Sequence, residues 1–276
     1  MADNYHIRIR PSAGVEWPDF AECFEFRGLL AALAVRDVKL RYRQTALGAA
    51  WVILQPLLAS GVLAFVFGTI AGVTKPGRSS VFVFVLGGFI GWTLFSATFT
   101  RAGQSLLQHA ALISKVYFPR LVLPVSAVVS GLMDTGVSFV FFVILRLITG
   151  PTFGWEIITL PVWLAVLLMF ALGLGLISGA LSVRFRDVQY VVPVLIQLLF
   201  YASPIAYRTA AVPEKWRAIF SINPLAPLFE GLRWSLLGEG DFRFSSLVYV
   251  LIVSALVFGC GLMLFKRAER EFADVI

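Results

Sequence analysis

Charged residues are missing from long stretches of this chain, and those stretches set its architecture. None lies between Arg43 and Lys75, Arg78 and Arg101, Glu156 and Arg184, Asp187 and Arg208, or Arg243 and Lys266; between Arg120 and Arg146 only Asp134 intervenes. A helix crosses the hydrocarbon with about 20 apolar residues. Each stretch therefore predicts a transmembrane helix, six in all. Ahead of the first, the segment between Trp17 and Arg43 predicts an interfacial amphipathic helix. On its wheel Val35, Val38 and Tyr42 form an apolar stripe. Arg36, Lys39 and Arg43 form a basic stripe beside it, with stems long enough to snorkel toward headgroups. That stripe is a basic juxtamembrane anchor and nothing more, or its cations also attract the phosphates of a lipid-linked substrate.

The connection between Tyr207 and Arg243 is the longest on the outer side, and its pattern is helical. In VPEKWRAIFSI, Pro213 stands at a helix start. In NPLAPLFEGLRWSLLG, Asn223 is placed as N-cap, Leu225, Leu228, Phe229, Leu232 and Leu236 recur at helical spacing, and Gly238 is a stop. Two short outer helices are predicted between spans five and six, too short to cross a bilayer and suited to a lid or gate.

Composition supports membrane residence: 59% of the 276 residues are hydrophobic and 14% charged, a balance that no single soluble core of this length would hold. Most of the 23 Lys and Arg fall on one set of alternating connections: seven in the N-terminal arm, three from Arg101 to Arg120, Arg184 with Arg186, and three from Lys266 onward. Positive charge is retained on the cytoplasmic side, so both termini are expected there. The reading is one all-α domain over 1–276, with a cytoplasmic arm and interfacial helix (1–43), a six-span bundle (44–265) and a cytoplasmic tail (266–276). The net charge of +7 then describes a face turned to anionic lipid; no soluble basic module for nucleic acid is present. The N-terminus lacks the pattern of a secretory signal, so the first span is expected to be a permanent anchor.

Candidate chemistry is sparse. No GxxxxGK[ST] loop occurs, and none of Lys39, Lys75, Lys115, Lys215 and Lys266 precedes Ser or Thr. The chain is thus not expected to hydrolyse ATP by that route. His6 and His109 are the only histidines, and Cys23 and Cys260 stand far apart, with no metal or disulfide spacing. Asp134 is the one carboxylate well inside a predicted span. Unpaired it would cost several kcal/mol, but its neighbours Ser130, Gly131, Thr135 and Gly136 suggest close helix packing with a satisfied hydrogen bond. Trp92, Phe95 and Phe99 lie on one face of the second span and Tyr201 lies in the fifth. In a water-filled path such rings would stack on sugars; otherwise they pack between helices. Trp51, Trp155 and Trp216 fall where an aromatic belt is expected. The loop from His109 to Arg120, with ISKVYFPR, is a compact cytoplasmic knob suited to docking or simply a helix-helix turn.

Four segments in order carry a resemblance: RDVKLRYRQTALGAAWVILQPL, ISKVYFPRLVLPVSAVVSGLMD, VRFRDVQYVVPVLIQLLFYASPIAY and VPEKWRAIFSINPLAPLFEGLRWSLLG. Together they resemble the membrane subunit of ABC exporters for lipid-linked polysaccharides, the O-antigen and capsule export permeases, along nearly the whole chain. The resemblance implies a bacterial inner-membrane half-transporter that is not itself an enzyme. Two copies would form the path, each docked to a separate cytoplasmic ATPase subunit that uses ATP and Mg; this chain would bind no cofactor and no metal. It also implies that Lys115, Tyr117, Phe118, Pro119 and Arg120 touch the ATPase, and that Arg36, Lys39, Arg41 and Arg43 lie near the lipid diphosphate. Trp216, Phe220, Phe229 and Trp234, within Val212 to Leu237, would belong to an outer gate. Teichoic acid or another lipid-linked polymer is an alternative cargo. A membrane-embedded glycan-processing enzyme would have only Asp187 and Glu230 to offer, and a secondary transporter would need internal repeats, which are not evident.

Overall fold

A computed structural model of the chain describes residues 20–43, 45–72, 79–113, 115–149, 153–240 and 243–275, and no strand occurs among them. Two helices, α1 (Phe20–Glu25) and α2 (Arg27–Tyr42), precede α3 (Trp51–Ala64), which continues as a π-helical segment through Phe65–Ile70. The chain then forms α4 (Val81–Gln108), α5 (Ala110–Ile113), α6 (Val122–Thr149), α7 (Leu160–Arg184), α8 (Val188–Ala202), α9 (Glu214–Ile222), α10 (Leu225–Leu237) and α11 (Phe244–Val275).

Among the described residues five helical stretches are long and apolar enough to cross a bilayer: Trp51–Ile70, Val81–Gln108, Val122–Thr149, Trp155–Arg184 and Phe244–Glu269. The fifth of the six predicted spans differs. There α8 is 15 residues long, about 22 Å at 1.5 Å per residue, short of the roughly 30 Å hydrocarbon. It stops because Ser203, extended at ψ 142°, precedes Pro204, whose ring disfavours helical backbone in the residue before it. The chain continues through a turn, 203–206, that is buried against α4.

The bundle is organised around α4, the most buried of the five spans, which packs on α6, α7 and α3; α11 lies along α7. Small residues bring these helices together. A Cβ added at Gly88 would stand 2.6 Å from the Ile205 carbonyl, so that glycine seats the buried turn after α8. A Cβ at Gly173 would stand 2.8 Å from the backbone of Phe258, and one at Gly261 would stand 2.6 Å from the Gly173 carbonyl. Without a hydrophobic drive between helices in lipid, such close approach supplies the packing. Because backbone cannot swing aside, Gly173→Ala should separate α7 from α11 and destabilise the fold by about 1–3 kcal/mol, read as a lower unfolding temperature in detergent.

α2 and the C-terminal part of α11 meet at one end of the bundle, where Cys23, Leu33, Phe118, Leu121, Phe265 and Ala268 share a cluster. At the opposite end α9 and α10 cap α4, α7 and α11. The predicted short helices are present there. α9 follows Pro213, Asn223 Oδ1 accepts from the Leu225 amide at 3.0 Å, and Gly238 closes α10 in the left-handed conformation at φ 63°.

Candidate functional site

At the end holding α2, Asp134 has three partners that its neighbours along the chain do not reveal. Arg101 on α4 donates from Nη2 to Asp134 Oδ2 at 2.9 Å and from Nη1 to Ser130 Oγ at 3.1 Å. Arg41 on α2 donates to the same carboxylate oxygen, and the Tyr42 hydroxyl donates to Oδ1 at 3.1 Å. Burial, and next the Asp134 charge, push the Tyr42 phenol above its ordinary value, which keeps it a donor. The carboxylate therefore joins α2, α4 and α6. Four residues further along α6, Ser138 Oγ donates to the Val52 carbonyl at 2.9 Å, in the first turn of α3. The network sits about one helical turn from where the first span begins.

This changes the expected basic helix. The stripe Val35, Val38 and Tyr42 is not the buried face: Val35 is exposed, whereas Leu33 and Ala34 are buried, with Leu29 and Leu30 packed beside the cluster under α2. The helix leans on α6, not only on an interface. Its cations also divide. Arg36 pairs with Asp37 at 3.0 Å and contacts the His109 ring, while Arg41 is held by Asp134. Lys39 and Arg43 are exposed and have no ion pair among the described residues, so these two remain available to a ligand.

The short connection after α5 separates in the same way. Lys115 and Tyr117 are exposed and Pro119 is half-buried, but Phe118 is buried in the cluster with Leu33 and Phe265. Arg120 donates to the Glu269 carbonyl on α11, and its Nε lies 3.9 Å from Glu269 Oε1. An exposed Lys-Tyr tip is thus fixed through Phe118 and Arg120 to the base of the bundle.

The aromatic residues expected to line a path are mostly core. Trp92, Phe95 and Phe99 are 6%, 0% and 2% exposed, and Phe95 stacks on Phe170 with centroids 6.0 Å apart. They fill the space between α4, α7 and α10 within one copy of the chain; only Tyr201, 66% exposed, is presented outward. The residues of the outer helices divide similarly. Trp216 is exposed, Phe220 is half-buried and lies 6.4 Å from the Tyr207 ring, and Trp234 meets Trp155 edge-on at 5.5 Å. Phe229 is fully buried beneath Gly91 and Trp92. Periodicity marks a helix face but cannot say whether a second helix covers it.

The opposite end contains polar groups that sequence reasoning did not connect. Arg146 donates to Ser79 Oγ at 2.7 Å and to the Leu237 carbonyl at 3.4 Å; Glu239 accepts from the Ser79 amide at 2.7 Å and pairs with Arg208. Arg233 donates to the carbonyls of Ile205 and Tyr207 at 3.3 and 3.1 Å and lies 4.5 Å over the Phe84 ring. Burial pushes its guanidinium down to about 10, still charged at neutral pH. The signal in sequence was an Arg at helical spacing among apolar neighbours, which needs partners if it faces inward. Among the described residues no group of His, Cys, Asp and Glu could hold a metal ion.

These features define a multi-pass α-helical membrane protein with a tethered, solvent-facing tip at one end and short capping helices at the other. The chain belongs to the ABC-2 type transporter family, which matches residues 28–237; it is a membrane transport subunit. It is similar to the O-antigen export system permease protein RfbA of Myxococcus xanthus, at 30% identity over 257 residues covering 92% of this chain and 98% of that protein. A Klebsiella pneumoniae protein of the same name is 28% identical over 251 residues, covering 90% and 95%. The polysialic acid transport protein KpsM of Escherichia coli is 26% identical over 244 residues, covering 87% and 93%.

Proposed function

We propose that the chain is the membrane-spanning subunit of an ATP-driven exporter that carries a lipid-linked polysaccharide of the O-antigen type from the cytoplasmic to the outer side of the bacterial inner membrane. The observation carrying this reading is that the chain aligns nearly end to end with permeases named for O-antigen export and polysialic acid transport. Two copies would work with two copies of a cytoplasmic ATPase, which supplies ATP and Mg chemistry. Outward apolar residues on α3 (Leu58, Val62), on its π-helical continuation (Phe65) and on α8 (Tyr190, Val194, Leu198) suit a second copy or lipid. The end bearing α2 and the α11 terminus is read as cytoplasmic from its Lys and Arg.

In this reading the ATPase grips Lys115 and Tyr117, and Phe118 and Arg120 pass its movement to α2 and α11. The Arg41, Asp134 and Arg101 network carries the same movement from α2 to α4 and α6. Lys39 and Arg43 receive the lipid diphosphate as exposed charge-assisted donors, and Tyr201 faces the path. Lys39→Gln with Arg43→Gln should lower export about tenfold or more and raise lipid-linked glycan inside the cell, while the variant still copurifies with the ATPase. Unchanged export would remove these cations from the substrate's route; loss of copurification would assign them to docking.

A further inference from the structure

Between α9, α10 and the start of α11 lies a cavity of about 710 Å³, within the 300–1,000 Å³ range of small-molecule sites. Its lining includes Arg208, Arg217, Arg233 and Arg243 against Glu230 and Glu239, two more cations than anions among the described residues. The arginines are not equivalent. Arg208 is paired with Glu239, and the Arg233 guanidinium is anchored by two carbonyls and the face of Phe84. Arg217 donates from Nε to the Val212 carbonyl at 3.2 Å and has only a loose, exposed contact with Glu214 at 3.5 Å. Arg243 is exposed and has no ion pair among the described residues. Arg243 is thus left at the mouth without an ion pair among the described residues, and Arg217 keeps its Nη2 donors and a loosely held Nη1 for a ligand.

The rest of the lining narrows the ligand. The Tyr249 and Phe220 rings and the Thr209, Ser221, Ser245 and Ser246 hydroxyls share the cavity, and the Tyr249 hydroxyl is fixed on the Ile222 carbonyl at 2.6 Å. A bare inorganic anion would use the arginines and the hydroxyls and leave the rings idle. A sugar ring uses all three: its C–H face packs on an aromatic face, its hydroxyls exchange hydrogen bonds with Ser, Thr and Glu230, and a carboxylate accepts a guanidinium fork. We infer that this cavity at the α9–α10 end binds an acidic sugar residue of the translocating glycan. The inference rests on the polysaccharide-export reading and adds that the outer end selects for, or retains, a carboxylate-bearing unit as the chain emerges.

The intact complex with its ATPase, in nanodiscs of neutral lipid, would be titrated calorimetrically with trigalacturonate, maltotriose and glycerol phosphate. Trigalacturonate is expected to bind at least tenfold more tightly than either of the others. Arg217→Gln with Arg243→Gln should reduce it to the maltotriose level at an unchanged unfolding temperature, and Arg243→Lys, which keeps the charge and loses the fork, should bind more weakly than the parent and more tightly than the double variant. Equal binding of maltotriose overturns the acidic specificity, equal binding of glycerol phosphate makes the cavity a headgroup site, and binding unaffected by the double variant places the ligand elsewhere. If the complex assembles and exports glycan but fails this titration, only the cavity assignment falls. If it does not assemble, the export reading falls first.

Discussion

Asp134→Asn should lower the unfolding temperature of the detergent-solubilised protein by roughly 5–10 °C, on the scale of about 2–4 °C per kcal/mol for chains of this size. The substitution keeps the shape and removes the charge on which Arg41 and Arg101 converge. Breaking a fully buried pair costs about 3–5 kcal/mol; here the carboxylate is 16% exposed and the two guanidinium groups 31% and 27%, so about 2–3 kcal/mol is expected. Arg41→Gln should cost less, because it leaves in place the Arg101 pair, whose guanidinium is also anchored on Ser130. The double variant should fall short of the sum of the singles, since they share one interaction. Additive losses would show that the three side chains do not act as a unit, and α2 would not be tied to α4 and α6 in the way described.

The second large effect belongs to the exposed tip. Lys115→Ala with Tyr117→Ala should weaken the complex with the ATPase about thirtyfold or more, the loss expected when an aromatic anchor is removed from an interface, while leaving the isolated protein as stable as before. Both residues are exposed, so their removal opens no cavity. Phe118→Ala is the contrasting variant: its ring is 5% exposed in the cluster beneath α2, and its loss should destabilise the chain by about 3–5 kcal/mol. If the exposed pair is dispensable for assembly, the ATPase docks elsewhere on this end.

What the sequence disclosed and what it hid divide along physical lines. Uncharged stretches are written directly in the chain, so five bilayer-length helices lie where their charge-free segments predict them. Proline and glycine punctuation is equally local: α9 follows Pro213 and Gly238 closes α10 as expected, whereas the cap of α10 falls on Pro224, one residue past the expected Asn223. The fifth segment was harder: 20 uncharged residues satisfy the length rule, but Ser203-Pro204 ends α8 early and the rest is accommodated by a buried turn against Gly88. Long-range partners were not legible. Asp134 called for satisfaction, and its hydroxyl neighbours pointed to a local answer, yet the partners come from residues 33 and 93 positions away. The same limit governs Trp92, Phe95 and Phe99, whose spacing marks a face that α7 and α10 then cover. Of the basic helix, sequence supplied the charges, and only packing separated the committed Arg36 and Arg41 from the available Lys39 and Arg43.

The most direct test of the central claim is to produce the chain with the cytoplasmic ATPase subunit of the same cell, purify the two together in mild detergent, and measure stoichiometry and ATP turnover. An equimolar complex with two copies of each subunit, hydrolysing ATP, is the predicted result. A stable membrane protein that neither binds nor stimulates any ATPase would contradict it.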